Sequence, residues 1–192
     1  MNFLKKDQKI QLSIIFIAVL LLISSIFADN IINEKISMFH GSVFDIIFNI
    51  LSNFYILIFV LLIVSTFFMY TENKKEGILP LWLSFIAASI IVIILKLLVA
   101  RERPIAFDTF SLFLYSFPSL HAAVCFAVVP ILDIEFPKLK VLWISVGILV
   151  GLSRVYLQVH YLSDVIAGGI IGYCIGITAF YINEKYFYRI RW

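Results

Sequence analysis

Three short runs in this sequence put ionisable side chains at the edges of apolar stretches, where charge is costly and usually serves a function. Lys96 and Arg103 stand in the first, Lys96-Leu-Leu-Val-Ala-Arg-Glu-Arg103-Pro104. His121 closes the second, Phe117-Pro118-Ser119-Leu120-His121. The third opens with Ser153 and Arg154 and reaches His160 and Asp164. If the chain gathers these runs at one end of its helices, the cations form a pocket for a multiply charged anion, and a phosphate fits it best. Two imidazoles and a carboxylate beside that anion could act as nucleophile, acid and base.

Each run also has an ordinary reading. Seven residues, about two helical turns, separate Lys96 from Arg103, so both charges can share a face. Pro104 disfavours helical geometry at Arg103 and predicts a helix end there. Taken alone, such residues snorkel to the membrane interface. Pro118 and Ser119 read as a helix start with Ser119 as N-cap. Its free N–H groups and positive dipole end suit an anion, and His121 falls in the first turn beside them. Taken alone, the same run is a capped helix with an incidental histidine. His160 and Asp164 are four apart, which puts them on one helix face. The carboxylate can then accept the Nδ1 proton and leave Nε2 as nucleophile or base. An aspartate leading into Val165-Ile-Ala-Gly-Gly has little structural reason to be there, so here the functional reading outweighs the ordinary one. Arg101 and Glu102 lie between motif positions and read as a solvated pair or as rim contacts.

The elements that position these residues must be membrane helices. With 62% hydrophobic residues, 14% charged residues and a mean hydropathy of +1.05, the chain could not cover its apolar surface as a soluble domain. Six apolar segments approach the ~20 residues needed to cross a bilayer. They are Ile10–Ala28, Asp45–Tyr70, Ile78–Val99, Ser119–Leu132, Leu139–Gly151 and Tyr161–Asn183, and the fourth and fifth must borrow flanking residues. Lipid leaves the backbone of an open chain no partner but itself, so all are expected to be helices. The predicted fold is an all-α, six-transmembrane-helix bundle, a single domain over residues 1–192, with its active site at the extracytoplasmic ends of the helices.

Charge distribution sets the expected orientation. Lys5, Lys6, Lys9, Lys74, Lys75, Lys138, Lys140, Lys185, Arg189 and Arg191 fall on one side, ten of the 15 basic residues. The positive-inside rule makes that side, with both termini, cytoplasmic and leaves the site facing away from it. Ile10–Ala28 is longer than a signal-peptide core, and Ile26 stands where a small residue is wanted, so it reads as an uncleaved first span. Asn30–Phe44 reads as an amphipathic helix along the outer interface or an ordinary connector, with His40 interfacial. Cys125 and Cys174 lie in apolar runs and read as small hydrophobes. Gly168, Gly169, Gly172 and Gly176 read as close helix packing, within the chain or across a dimer. A net charge of +3 is too modest to imply nucleic acid.

Together the three runs resemble the type 2 phosphatidic acid phosphatase superfamily, whose signature is K-x6-R-P, P-S-G-H and S-R-x5-H-x3-D. Lys96 to Pro104 matches the first element and Ser153 to Asp164 the third. The second matches at Pro118, Ser119 and His121 but has Leu120 where the family has glycine. The resemblance implies a two-step, metal-independent phosphoryl transfer without a cofactor. His160 would attack phosphorus with Asp164 holding its ring, and His121 would protonate the leaving oxygen and then activate water. Lys96, Arg103 and Arg154, with backbone N–H groups near Ser119 and Leu120, would bind the phosphoryl oxygens.

The implied activity is hydrolysis of a lipid phosphate at the outer face, with phosphatidic acid, phosphatidylglycerol phosphate and isoprenyl phosphates or diphosphates as candidate substrates. P-S-L-H also resembles the lipid phosphotransferase branch, in which an alcohol replaces water as acceptor. A transporter or scaffold fits less well, because the polar residues cluster at span ends and no span carries a charge at its centre. Which lipid is used and the oligomeric state stay open at this point.

Overall fold

The computed structural model describes residues 2–39, 41–105 and 115–185. His40, Arg189 and Arg191, singled out above, lie outside the described residues. The described residues form eight α-helices in order: α1 Asn2–Ser37, α2 Ser42–Leu51, α3 Phe54–Ile58, α4 Ser65–Thr71, α5 Ile78–Val99, α6 Leu120–Glu135, α7 Lys140–Tyr156 and α8 Leu162–Asn183. A π-helical stretch, Phe59–Val64, joins α3 to α4. The described residues contain no strand, as the all-α expectation requires.

Five helical stretches are long and apolar enough to cross a membrane: Phe16–Ile36, Phe54–Thr71, Lys75–Val99, Pro137–Tyr156 and Leu162–Asn183. The sixth predicted span, Ser119–Leu132, becomes α6. Its 16 residues rise only about 24 Å, less than the ~30 Å hydrocarbon thickness. This helix lies at the centre, packed against α5, α7 and α8. Ala122, Ala123, Val124, Ala127, Val128, Ile131 and Leu132 are all fully buried along it. A helix apolar all round and rich in small residues belongs inside a bundle. The outer helices carry the lipid-facing side chains, among them Phe27, Phe67 and Leu98.

Two further boundaries differ from the sequence reading. Asn30–Phe44 is no separate interfacial helix: α1 runs on through Ser37, and α2 begins at Ser42. The expected span Asp45–Tyr70 is broken at Ser52 and Asn53, where the Asn53 side chain accepts the N–H groups of Tyr55 and Ile56 at 3.0 and 3.2 Å and caps α3. That break brings Ser52 into the site.

α6 and α8 approach closely enough to exclude any side chain between them. A Cβ on Gly168, Gly172 or Gly176 would collide with the carbonyls of Ser119, Ala123 or Ala127, one helical turn apart each. Gly169, also in the glycine stretch, faces Phe126 instead. At the end away from the motifs, Lys74 donates to the Glu135 carbonyl and Asn183 to the Glu76 carbonyl.

Candidate active site

All three motif runs arrive at the other end of the bundle, and each arrives by a device of its own. α5 stops at Val99, four residues before Arg103, because Ala100 takes the left-handed conformation (φ 50°). Lys96 and Arg103 are therefore not two positions on one helical face, as their spacing predicts. Beyond Ala100 the chain leaves helical geometry, and the Arg103 guanidinium donates to the Val159 carbonyl at 2.7 Å. Ser116 holds the returning chain: its N–H donates to the Arg101 carbonyl at 2.8 Å, and its hydroxyl to the Glu102 carbonyl at 2.8 Å. Lys96 is 2% exposed and donates to the carbonyls of Tyr115 and Ser116 at 2.7 and 3.2 Å.

Ser119 occupies the N-cap of α6 in extended geometry, but its side chain makes no capping bond. Its N–H donates to the main-chain carbonyl of Asp164 at 3.0 Å. What Ser119 can offer an anion is therefore its buried hydroxyl, which has no hydrogen-bond partner among the described residues. Leu120 follows in helical conformation with its side chain in the main core. The left-handed freedom of a glycine is not used there, and the leucine bulk points to packing.

His121 and Arg154 meet at the α2–α3 break. The Nε2 atom of His121 lies 3.0 Å from the Ser52 carbonyl. A carbonyl only accepts, so this nitrogen carries a proton. Phe54 packs edge-on against the same ring at 5.0 Å. Arg154 donates to the Ser52 hydroxyl through one terminal nitrogen, while its buried Nε has no hydrogen-bond partner among the described residues.

His160 lies in the link between α7 and α8, not on a helix. Its Nδ1 stands 3.6 Å from Asp164 Oδ2, a polar contact slightly beyond hydrogen-bond length. The same Oδ2 accepts the Tyr161 N–H at 2.8 Å and so caps the start of α8. Asp164 thus has the structural reason for its place that the sequence reading denied it, and it faces His160 as well. Burial, then the charges of Lys96, Arg154 and Arg103, hold the His160 imidazole well below the ordinary histidine range. The ring is therefore neutral at pH 7, the state a nucleophile needs.

Sequence reasoning missed the residues that complete this end of the molecule. Arg101, read as rim or solvated, pairs with Asp164 Oδ1 at 2.7 Å and with Asp29 Oδ2 at 2.9 Å. Asp29, on α1, is 3% exposed. It directly follows the predicted first span, and the rule that ionisable groups bordering hydrocarbon carry function would have found it. Ser52 and Ser116 offered no comparable signal.

Helices that cross a membrane several times and gather four cations, two histidines and two aspartates at one end define a multi-pass membrane protein with a polar, charged cluster at one end of its bundle. The family model of the PAP2 superfamily matches residues 77–188, and the chain belongs to that superfamily. An undecaprenyl-diphosphatase from Sulfolobus acidocaldarius is 32% identical over 123 residues, 60% of this chain and 59% of that protein. A lipid A 1-phosphatase from Rhizobium etli is 30% identical over 113 residues, 50% of this chain and 49% of that protein. The chain thus spans between about half and three-fifths of the curated relatives it matches. The crystal structure of a transmembrane PAP2-type phosphatidylglycerolphosphate phosphatase from Bacillus subtilis superposes with a TM-score of 0.68 at 23% identity, over 90% of this chain and 95% of that one. That likeness is one of fold. The crystal structure of Aquifex aeolicus LpxE gives 0.67 at 26% identity, over 80% of this chain and 94% of that one.

Proposed function

We propose that this chain is a membrane phosphatase that hydrolyses the phosphomonoester or diphosphate of a lipid through a phosphohistidine. The observation that carries the reading is a buried His160, 2% exposed, whose Nδ1 faces Asp164 Oδ2 at 3.6 Å at the same end of the bundle as Lys96, Arg103 and Arg154. In the first step the His160 Nε2 lone pair forms a bond to phosphorus and the bond to the leaving oxygen breaks. That oxygen keeps the electron pair and takes a proton from the His121 imidazolium, which is left as the neutral ring. In the second step water attacks phosphorus and gives a proton to His121. The N–P bond breaks, its electrons return to His160, and inorganic phosphate leaves.

Lys96, Arg103 and Arg154, with the Ser119 hydroxyl and the Leu120 N–H, hold the phosphoryl oxygens. Phosphoryl transfer rests on positioning and charge stabilisation, and these fixed cations supply the charge neutralisation that metal ions supply in other enzymes. Activity is therefore expected to be independent of metal. The undecaprenyl-diphosphatase and lipid A 1-phosphatase among the relatives point to isoprenyl diphosphates and lipid phosphates as substrates. By the distribution of basic residues, both termini are cytoplasmic and the site is extracytoplasmic; a composition rich in Lys, Ile and Asn is that of a prokaryotic plasma-membrane protein. The chain acts as one domain over residues 1–192.

The second reading, phosphoryl transfer to an alcohol, rests on Leu120 alone. Its burial in the core gives that leucine a packing role and weakens the argument. Phosphate release in detergent, with EDTA and without added alcohol, separates the two across isoprenyl diphosphates, phosphatidic acid and phosphatidylglycerol phosphate. Release by the intact protein that disappears in His160→Ala supports the hydrolase. No release until an alcohol is supplied supports the transferase.

A further inference from the structure

Asp29 and Arg101 stand outside the roles assigned so far, yet they make a continuous polar cluster with the buried Ser163 and Asp164. Arg101 Nη1 donates to Asp164 Oδ1 and to the Ser163 hydroxyl, each at 2.7 Å. Its other terminal nitrogen, Nη2, donates to Asp29 Oδ2 at 2.9 Å. Asp29 Oδ1 accepts the Ser163 N–H at 3.0 Å, and its Oδ2 accepts the Ser163 hydroxyl at 2.5 Å. The guanidinium also stacks over the Tyr161 ring, 4.1 Å from its centre. Ser163 and Asp164 are fully buried.

Two carboxylates brought out of water need compensation. One planar guanidinium bridging both supplies it, with a fork geometry that lysine lacks. The result fixes Asp164 from two directions. Arg101 holds Oδ1, and the Tyr161 N–H holds Oδ2 on the side that faces His160. Asp29 in turn fixes Arg101 and the backbone at Ser163, one residue before Asp164. It does so from α1, outside the segment 77–188 that the family model matches.

We infer that Asp29 and Arg101 are a positioning pair, through which the first helix sets the orientation of Asp164 and hence of the nucleophilic His160. The inference rests on the hydrolase reading for its chemistry, but the contact geometry is independent of substrate. Neither residue touches the transferred group in this account; they act through Asp164. α1 is thereby a working part of the site as well as a membrane span.

The test uses the full-length protein in detergent, with Asp29→Asn, Arg101→Lys, Arg101→Ala and the double variant Asp29→Asn/Arg101→Ala. Melting temperature is recorded for each. A positioning pair lowers kcat by roughly ten- to a hundredfold and leaves KM within about threefold. The double variant is then no worse than Arg101→Ala, because residues that act as a unit are not additive. Millimolar guanidinium ion restores part of the kcat of Arg101→Ala, which a purely structural loss would not allow. Vanadate affinity, read by vanadium NMR, falls at least about tenfold in the same variants and gives the comparison without turnover.

Wild-type kcat in Asp29→Asn would overturn the inference. So would a KM that rises at constant kcat in Arg101→Ala, which makes Arg101 a direct substrate ligand. Loss that tracks melting temperature and resists guanidinium makes the pair structural and overturns it too. Failure of the hydrolase reading appears earlier and elsewhere, as absence of phosphate release by the unaltered protein. The vanadate comparison then still decides the positioning role.

Discussion

The main-chain N–H of Ser119 donates to the main-chain carbonyl of Asp164 at 3.0 Å, so the starts of α6 and α8 are tied backbone to backbone. This single bond joins the second motif to the third. Gly168, one turn beyond Asp164 on α8, leaves room beside it for the Ser119 carbonyl.

Gly168→Ala tests that dependence. The added methyl collides with the Ser119 carbonyl and must push the α6 start away from Asp164. Displacement of reacting groups by about 1 Å can cost on the order of a hundredfold in rate. We expect kcat to fall by that order, while Gly41→Ala, whose Cβ would meet nothing, leaves kcat unchanged. Equal activity in the two variants would show that the close approach does not set the site.

Ala100 ends α5 at φ 50°, a conformation that costs a residue with a Cβ about 1–2 kcal/mol. Ala100→Gly relieves that strain, less what glycine loses in unfolded-state entropy. It is expected to stabilise the protein by about 0.5–1 kcal/mol in denaturant titration. A destabilised glycine variant would mean that the end of α5 is set by something other than the strain at Ala100.

His160 gives the pH dependence. The folded protein holds this imidazole well below its ordinary value, whereas the unfolded chain protonates it near pH 6.5. A depressed histidine contributes stability that is present above the unfolded pKa and is lost as pH falls through and below 6.5. His160→Asn removes that contribution, so its melting temperature should fall less steeply with acid than that of the wild type. The acid limb of kcat should likewise lie below pH 6.5. A limb centred at or above 6.5, with parallel melting curves, would contradict a buried neutral histidine.

Leu120 is 7% exposed and part of the main core. Restoring the glycine of the family signature by Leu120→Gly removes that packing and should cost about 2–3 kcal/mol of stability. Hydrolysis should not increase. Faster phosphate release in the glycine variant would show that the leucine restrains the site and would revive the transferase reading.

Much of this site was legible in the sequence because its residues are few, charged and set in apolar surroundings. Lys96, His121, Arg154, His160 and Asp164 stood out for that reason, and all of them reach one end of the bundle. Their geometry was less legible. Helical periodicity put Lys96 and Arg103 on one face, but a left-handed alanine separates them. The same periodicity put His160 on a helix with Asp164, although α8 begins only at Leu162. Ser52 could not be found, because its role depends on where a long apolar run breaks. The central place of α6 was not legible either: its run of small residues signals burial among other helices, but nothing in its sequence named the helices that surround it.

The central claim is that His160 carries the phosphoryl group. It is tested most directly by quenching the protein during turnover of an isoprenyl diphosphate, digesting it under alkaline conditions and locating the phosphate by mass spectrometry. The account expects phosphohistidine on the peptide containing His160, acid-labile and absent from His160→Ala. Phosphate on His121, or turnover with no covalent phosphate while His160→Ala remains active, would contradict it.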